Sequence, residues 1–374
     1  MMAKRVPIDT YCEKKIPTLQ KTYDGLIDYV DISSVDNTEK KIISYQTIES
    51  TDAPSRAKQL LQKGDVLVST VRPNLNAVAV VEEETENLMV GSTGYCVLRC
   101  KDNMDVRYLF NFCQSQYFVD DMSSQATGAS YPAVSNGIVR SALIPCYSIE
   151  EQREIAEKMD TVSELLALRK QQLAELDELI KSRFIELFGD PNTNPMKWKK
   201  EQLQINATLL NGRAYKQDEL LDNGKYPVLR VGNFFSNRGW YYSDLELDED
   251  KYCDDGDLLY AWSASFGPRI WNGGKVIYHY HIWKVLVGEK YNKQFLCHLL
   301  DYATASFMGD THGIGMMHLT KSGMEETEFI VPPIDLQNQF AAFVEQTDKS
   351  KLAVQQSIAE LEELKKSLMQ QYFG

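Results

Sequence analysis

The chain carries the same helical segment twice. Residues 149–189 and 334–374 align without a gap at a constant offset of 185, and 13 of the 41 positions are identical. The shared residues include Ile149/Ile334, Gln152/Gln337, Ala156/Ala341, Ala174-Glu175-Leu176/Ala359-Glu360-Leu361 and Phe188-Gly189/Phe373-Gly374. The same offset pairs Gly128 with Gly313 and Ser135 with Thr320. At a slightly different spacing, Gly64-Asp65-Val66-Leu67 resembles Gly256-Asp257-Leu258-Leu259. A fixed internal period means that one structural unit is used twice. The expected order is therefore globular region, long helix, globular region, long helix, with boundaries at residues 1–147, 148–189, 190–332 and 333–374.

Residue spacing identifies the repeated segments as helices. Positions 155, 159, 162, 166, 169, 173, 176, 180, 183 and 187 step by four and three, and eight of the ten are apolar; seven of their ten equivalents are apolar. This is a heptad-like seam. Ser148 with Glu151 forms a capping box at the first helix start, and Gly189-Asp190-Pro191 is a stop signal. A helix of about 40 residues is about 60 Å long at roughly 1.5 Å per residue. Such a helix needs a partner for its apolar stripe, and its own repeat is the simplest one. Pairing two head-then-helix units about a pseudo-twofold axis makes the helices antiparallel. The expected fold is α+β: two pseudo-symmetric globular domains separated by two long antiparallel coiled-coil helices. Leu173, Leu176, Ile358 and Leu361 are expected on the helix seam. Gln152 and Gln337 are candidates for a helix-pair or partner interface.

Within the heads, Val66–Val71 and Ala77–Val81 read as strands. Val106–Met122 reads as a helix, with a counterpart at Asn292–Phe307. Gly91-Ser92-Thr93-Gly94 and Gly273-Gly274 read as turns.

Composition narrows the function classes. Apolar residues make up 43% and charged residues 25%, which suits a folded protein. No apolar run is long enough for a membrane span and no signal peptide is visible, so a cytoplasmic location is expected. Seven cysteines without a C-x-x-C pair argue against a disulfide framework or zinc site. His279-Tyr280-His281, read as a strand, would put two rings on one face, but no third ligand stands at a metal-binding spacing. There is no phosphate-binding G-x-x-x-x-G-K-S/T loop. The only Pro-Pro, Val331-Pro332-Pro333-Ile334, lacks the polar and aromatic residues of an adenine-methyltransferase loop and sits at a helix start. No catalytic residue is assigned and no cofactor is expected on this chain. The net charge of −13 is distributed as −3, −4, −4 and −2 over residues 1–148, 149–189, 190–333 and 334–374, so no segment is a basic domain. A nucleic-acid function would need a local patch or partner subunits to supply phosphate attraction.

Several segments together resemble the specificity subunits of type I restriction–modification systems. They are Tyr29-Val30-Asp31-Ile32-Ser33-Ser34, Ala53-Pro54-Ser55-Arg56-Ala57, Gly64-Asp65-Val66-Leu67-Val68-Ser69-Thr70-Val71-Arg72-Pro73-Asn74 and Thr127-Gly128-Ala129-Ser130-Tyr131-Pro132. A Pro-led helix start with Glu150-Glu151-Gln152-Arg153-Glu154-Ile155-Ala156 follows. The second half departs more, with Trp262-Ser263-Ala264-Ser265-Phe266-Gly267 and His312-Gly313-Ile314-Gly315 at the corresponding places. The resemblance implies a non-catalytic subunit whose two heads are target-recognition domains, each reading one part of a bipartite DNA site. It implies that the helices set the spacer and dock two methyltransferase subunits, with two restriction subunits completing the complex. S-adenosylmethionine, ATP and Mg are then expected in those partners.

Unlike heads on similar stems suit two different half-sites and one shared partner surface. Heads roughly 50–60 Å apart would span on the order of 15 bp of duplex. Base-edge reading favours Arg for guanine, Asn or Gln for adenine, and Ser or Thr for either. The candidates are Arg72, Asn74, Asn76, Ser130 and Tyr131 in the first half. In the second half they are Ser263, Ser265, Arg269, His312 and Lys321. The even acidic charge keeps an alternative open, a coiled-coil scaffold whose heads bind other proteins.

Overall fold

The computed structural model describes residues 4–236, 238–263, 265–309 and 319–374. The two repeated segments are unbroken helices, Ile149–Phe188 and Ile334–Phe373, here termed the first and second stem helices. The chain divides into two compact units: Met1–Gln171 with Gln355–Gly374, and Gln172–Val354. Each unit therefore contains one head and a part of each stem helix.

In the first unit, Tyr95–Leu98, Val66–Ser69 and Val78–Val80 form a three-stranded antiparallel sheet. A four-stranded sheet runs in the order Gln46–Glu49, Leu26–Val30, Leu88–Ser92, Ala57–Leu60, and its two middle strands are parallel. Arg5–Pro7 pairs with Leu143–Pro145 immediately before the stem. The second unit repeats the plan. Ala207–Asn211, Ile282–Val287, Leu258–Ser263 and Ser265–Ile270 form one antiparallel sheet. Another sheet contains a parallel pair, Tyr226–Leu229 with Val276–Tyr278. Lys200–Gln202 pairs with Glu328–Ile330 at the foot of the second stem helix.

The repeated Gly-Asp turn has a structural cause. Gly64 and Gly256 adopt φ of 89° and 86°, a conformation that costs glycine little. The following carboxylates close the turn: Asp65 Oδ2 accepts from the Gln62 N–H at 2.9 Å, and Asp257 Oδ2 from the Asp254 N–H at 2.9 Å. Each then pairs with a cation in or just past a neighbouring strand, Asp65 with Arg99 through two 2.8 Å bonds and Asp257 with Lys284 at 2.7 Å. Asp65 is fully buried, so the Arg99 fork offsets what would otherwise be a costly desolvated charge. The motif recurs because each head's central strand must begin from a sharp, charge-satisfied turn.

The stem helices run in opposite senses within each unit. In the second unit Asp177 meets Lys351 at 2.6 Å, Arg183 lies over the Phe343 ring at 5.8 Å, and Phe188 meets Phe340 at 5.7 Å. Ascending positions on one helix thus face descending positions on the other. In the first unit Phe373, from the end of the second stem helix, shares one core cluster with Ile155, Ala156 and Met159 from the start of the first, and Leu368, Met369 and Tyr372 pack against that cluster. The start of the first stem helix has the expected box: Glu151 Oε2 accepts from the Ser148 N–H at 2.8 Å, and Ser148 Oγ from the Glu151 N–H at 3.2 Å. Gly189, at φ 71°, stands at its end. No helix among the described residues is long and apolar enough to cross a membrane.

Some local expectations need correction. Val106–Met122 is two helices, Val106–Gln114 and Gln116–Gln125. Ser115 breaks it by taking extended geometry and capping the second helix through the Phe118 N–H. Gly91 and Ser92 belong to a strand, and only Thr93-Gly94 turns. His279-Tyr280-His281 is the tight connection between two strands, so its two imidazoles are not strand neighbours on one face; they contact each other at 4.7 Å.

Candidate nucleic-acid interface

In the first head the five candidates come together on two loops that are tied to each other. After the strand Val66–Ser69 the chain enters a 3-10 turn, Pro73–Leu75. It is flanked by Arg72 and Asn76, both left-handed at φ 49° and 48°. Non-glycine residues in this region store strain, which tends to persist where surrounding contacts over-determine the loop. Here those contacts come from the second loop. The Arg72 N–H donates to the Pro132 carbonyl at 2.7 Å and the Val134 N–H to the Thr70 carbonyl at 2.9 Å. Thr127 and Ala133 close the second loop by exchanging bonds of 3.0 and 2.9 Å.

On this frame the Arg72 guanidinium lies over the Tyr131 ring at 4.6 Å, and Tyr131 is 68% exposed. Asn74 and Ser130 are exposed beside them. Asn76 differs: its amide donates inward to the Gln114 carbonyl at 3.4 Å, and its own carbonyl accepts from the Lys40 ammonium. It shapes the loop from behind. The result is a guanidinium–aromatic pair with an adjacent amide and hydroxyl on an exposed ridge, the mixture that base edges and phosphates require.

The second head assembles its candidates less completely. Ser263 and Ser265 face each other at the tip of the hairpin formed by Leu258–Ser263 and Ser265–Ile270. Arg269 stands on that hairpin, but its guanidinium donates to the Phe234 carbonyl at 2.5 Å and lies over the Phe234 and Phe235 rings. That makes it a tie between the hairpin and the short helix Val231–Phe235. Lys321 opens the short helix Lys321–Glu326 and sits 3.5 Å from Glu325. His312 lies outside the described residues.

Aromatic and histidine side chains gather near the tip of this hairpin. Trp262 donates to the Tyr280 carbonyl at 2.9 Å and contacts the Tyr280 and His281 rings at 6.0 and 5.0 Å. Arg230 lies over Tyr241 at 4.2 Å. Burial, the neighbouring His281 and the Arg230 charge together push His279 down to about 4, so its imidazole is neutral at neutral pH. Among the described residues, no group of three His, Cys, Asp or Glu side chains is placed to hold a metal ion.

The stem candidates divide into two kinds. Gln152 and Gln337 are buried, and each ties its helix start to its own head. Gln152 accepts from the Asp105 N–H at 2.9 Å and donates to the Tyr147 carbonyl at 3.0 Å. Gln337 accepts from the Asn292 N–H at 2.9 Å and donates to the Lys290 and Pro332 carbonyls at 3.0 and 2.8 Å. Their conserved geometry across the repeat belongs to a stem–head joint, not to the helix seam. Leu173, Leu176, Ile358 and Leu361 are half-buried. The buried stem residues are instead Ile155, Met159, Val162, Leu166, Ile180, Phe184, Phe188, Phe340, Val344, Val354 and Phe373.

Comparison with known proteins agrees with the resemblance drawn from the sequence. The family model described as "Type I restriction modification DNA specificity domain" matches residues 9–178 and 195–363. The chain is 26% identical over 167 residues to the type I restriction enzyme EcoBI specificity subunit of Escherichia coli, covering 42% of this chain and 35% of that protein. It is 24% identical over 203 residues to the HindI specificity subunit of Haemophilus influenzae, covering 53% of this chain and 42% of that one. These alignments span well under half the length of either relative. The MjaIX specificity subunit of Methanocaldococcus jannaschii is 20% identical over 341 residues, 83% of this chain and 77% of the relative. Two solved structures share the fold. A chain from a study of assembly and conformational transition in the type I R-M system gives a TM-score of 0.67 at 23% identity, covering 100% of this chain and 97% of that one. The type I restriction–modification S subunit from M. genitalium gives 0.60 at 15% identity, covering 99% and 96%.

Proposed function

Since the chain belongs to the type I restriction–modification DNA specificity family, we propose that it is the subunit that chooses the DNA sequence on which its partners act. Residues 1–147 and 190–332 are the two reading heads, each assigned to one part of a bipartite site. The stem sets their separation. The chain contributes recognition and no chemistry of its own. Two modification subunits bring S-adenosylmethionine, and two restriction subunits bring ATP- and Mg-dependent work.

The observation that carries this reading is the ridge of Arg72, Asn74, Ser130 and Tyr131 on two interlocked loops. Arg72 suits guanine O6 and N7, Asn74 an adenine edge, and Ser130 either base or phosphate. In the second head Ser263 and Ser265 at the hairpin tip take the corresponding part. Arg269, Lys321 and His312 are assigned to the same head's recognition surface, with Arg269 acting through the position of the hairpin.

Partner docking on the stem is supported by apolar side chains left in solvent. Leu168 and Leu352 are 60% and 57% exposed, and the repeat-equivalent Leu179 and Leu364 are also exposed. Equivalent apolar positions on both helices suit two copies of one partner.

The test is to exchange residues 1–147 for the first head of a related subunit and map methylated adenines genome-wide. One half of the methylated site should change while the other half and the spacing remain. An unaltered site refutes the assignment. Failure of the assembled complex to bind DNA at any salt concentration would favour a protein-binding scaffold instead.

A further inference from the structure

Both heads contain a parallel strand pair, and the chain leaves the end of that pair differently in each. In the first head Val30 pairs with Gly91 at the end. The next residue, Asp31, is closed off: Arg56 holds its carboxylate at 3.1 Å and the Tyr29 hydroxyl donates to it at 3.2 Å. In the second head Leu229 pairs with Tyr278, and the His279 N–H donates to the Leu229 carbonyl at 2.9 Å. The residue after Leu229 is Arg230, so an arginine stands at the step where the first head has an aspartate.

The loop after Arg230 folds back onto it. The Gly239 carbonyl accepts from Arg230 Nη2 at 3.3 Å and from the Asn233 amide at 3.2 Å, and the same amide donates to the Arg238 carbonyl at 2.8 Å. That closure brings the Tyr241 ring against the guanidinium, 4.2 Å from it. Arg230 is half-exposed. Among the described residues it forms no salt bridge, and its Nε–H has no hydrogen-bond partner. Arg213 in the same head is instead forked onto Glu219 at 2.9 and 2.7 Å, and Arg269 is committed to the Phe234 carbonyl. A guanidinium stacked on a ring and tied through one nitrogen is oriented, while its remaining N–H groups still call for an acceptor. Arg269 also fixes the short helix that Arg230 begins to the hairpin bearing Ser263 and Ser265.

We propose that Arg230, stacked on Tyr241, is a specificity-determining residue of the second head and reads a guanine in its half-site. This rests on the DNA-recognition reading above and extends it. The chemistry repeats that of Arg72 over Tyr131 in the first head, from a different corner of the same plan: the end of the parallel pair in place of the loop after the Gly-Asp strand. A planar fork of fixed orientation matches the O6 and N7 acceptors of guanine in the major groove, whereas phosphate contacts fix register without carrying sequence information.

The experiment uses the full chain assembled with its modification subunits. The half-site read by residues 190–332 is the one that stays fixed in the head exchange above. It should contain a G·C pair, and a half-site of A·T pairs alone overturns the proposal. Binding is then measured at several salt concentrations for duplexes in which each base pair of the site is changed in turn. Arg230→Lys, Arg230→Gln and Tyr241→Leu are compared with the unaltered protein. Arg230→Lys keeps the charge and loses the fork. It should lower discrimination at one G·C pair of that half-site by roughly 5- to 150-fold, with the salt slope and the other half-site unchanged. Arg230→Gln and Tyr241→Leu should relax the same pair. The proposal fails if Arg230→Gln weakens every duplex by one factor and lowers the slope of log K against log salt by about 0.9 while Arg230→Lys restores both, since Arg230 then holds phosphate. It also fails if Arg230→Lys discriminates as the unaltered protein does. Both outcomes leave the recognition reading intact. An unaltered complex that binds all the duplexes alike sinks that reading itself.

Discussion

Phe373 and Phe188 occupy equivalent positions in the repeat, and each plugs the joint between stem and head in its own unit. Phe373 is fully buried, 5.3 Å from the Tyr108 ring and 5.9 Å from Phe112. Arg5 fixes the backbone there by donating to the Phe373 and Gly374 carbonyls at 3.0 and 2.7 Å. With its backbone and both neighbouring rings held, the site has little room to collapse around a smaller side chain. Phe373→Ala should therefore cost about 3–5 kcal/mol, the usual range for deleting a buried phenyl group. At about 2–4 °C per kcal/mol for a unit of this size, its melting temperature should fall by roughly 6–20 °C. Hydrogen exchange resolved by segment is the appropriate assay, because two compact units need not unfold as one. Protection should fall most in Val106–Gln114 and the early part of the first stem helix. Phe188→Ala should place the loss around Phe295 and Phe340, its ring neighbours at 4.6 and 5.7 Å. If Phe373→Ala leaves exchange in Val106–Gln114 unaltered, or lowers protection equally in both units, the joint does not hold the head in the way argued.

Four other perturbations have defined outcomes. Gln337→Leu strands the half-buried Asn292 N–H and the Lys290 and Pro332 carbonyls, and should cost about 1–3 kcal/mol in denaturant unfolding; no loss would show that the joint is satisfied some other way. Polar substitution at Leu173, Leu176, Ile358 or Leu361, which are only half-buried, should cost about 0.8–1.5 kcal/mol, half the burial value of a full aliphatic side chain, and a larger loss in thermal melts would mean a tighter seam. Glu201 is held down to about 2 from 4.5 by the Asn206 amide and then by Lys199 and Lys290. A depressed carboxylate stabilises the fold above its unfolded value and loses that contribution as pH falls. The deficit of Glu201→Gln should thus be full at pH 7, shrink below about 4.5 and vanish near 2; acid-unfolding curves that stay parallel throughout would contradict this. Arg72→Ala should cost about 1–3 kcal/mol of discrimination at one base pair, read as relaxed methylation at a single position of the first half-site.

The stems were legible in the sequence because helical periodicity is a local property. Spacings of three and four residues, a Ser-x-x-Glu box and a terminal glycine each act within a few turns. The Gly-Asp turns were legible as a repeat, though not the Arg99 and Lys284 that satisfy them, since those cations arrive from distant parts of the chain. The candidate interface was only half legible. Arg72, Asn74, Ser130 and Tyr131 suit the proposed base reading by residue type, and the structure brings them onto one ridge. Arg269 has the same chemistry, but the fold commits its guanidinium to the Phe234 carbonyl. Residue type cannot distinguish those two arginines.

The sequence by itself determined that one head-and-stem unit is used twice and that the stems are helical, because an internal period and a heptad pattern need no knowledge of distant contacts. Tertiary structure alone decided that the lysine at position 40 stands behind the loop at 72–76. It also decided that Gln152 and Gln337 serve the heads and not the seam. Those outcomes depend on which carbonyl, ring or carboxylate is brought within about 3–5 Å by chain far away in sequence, and no local pattern records that.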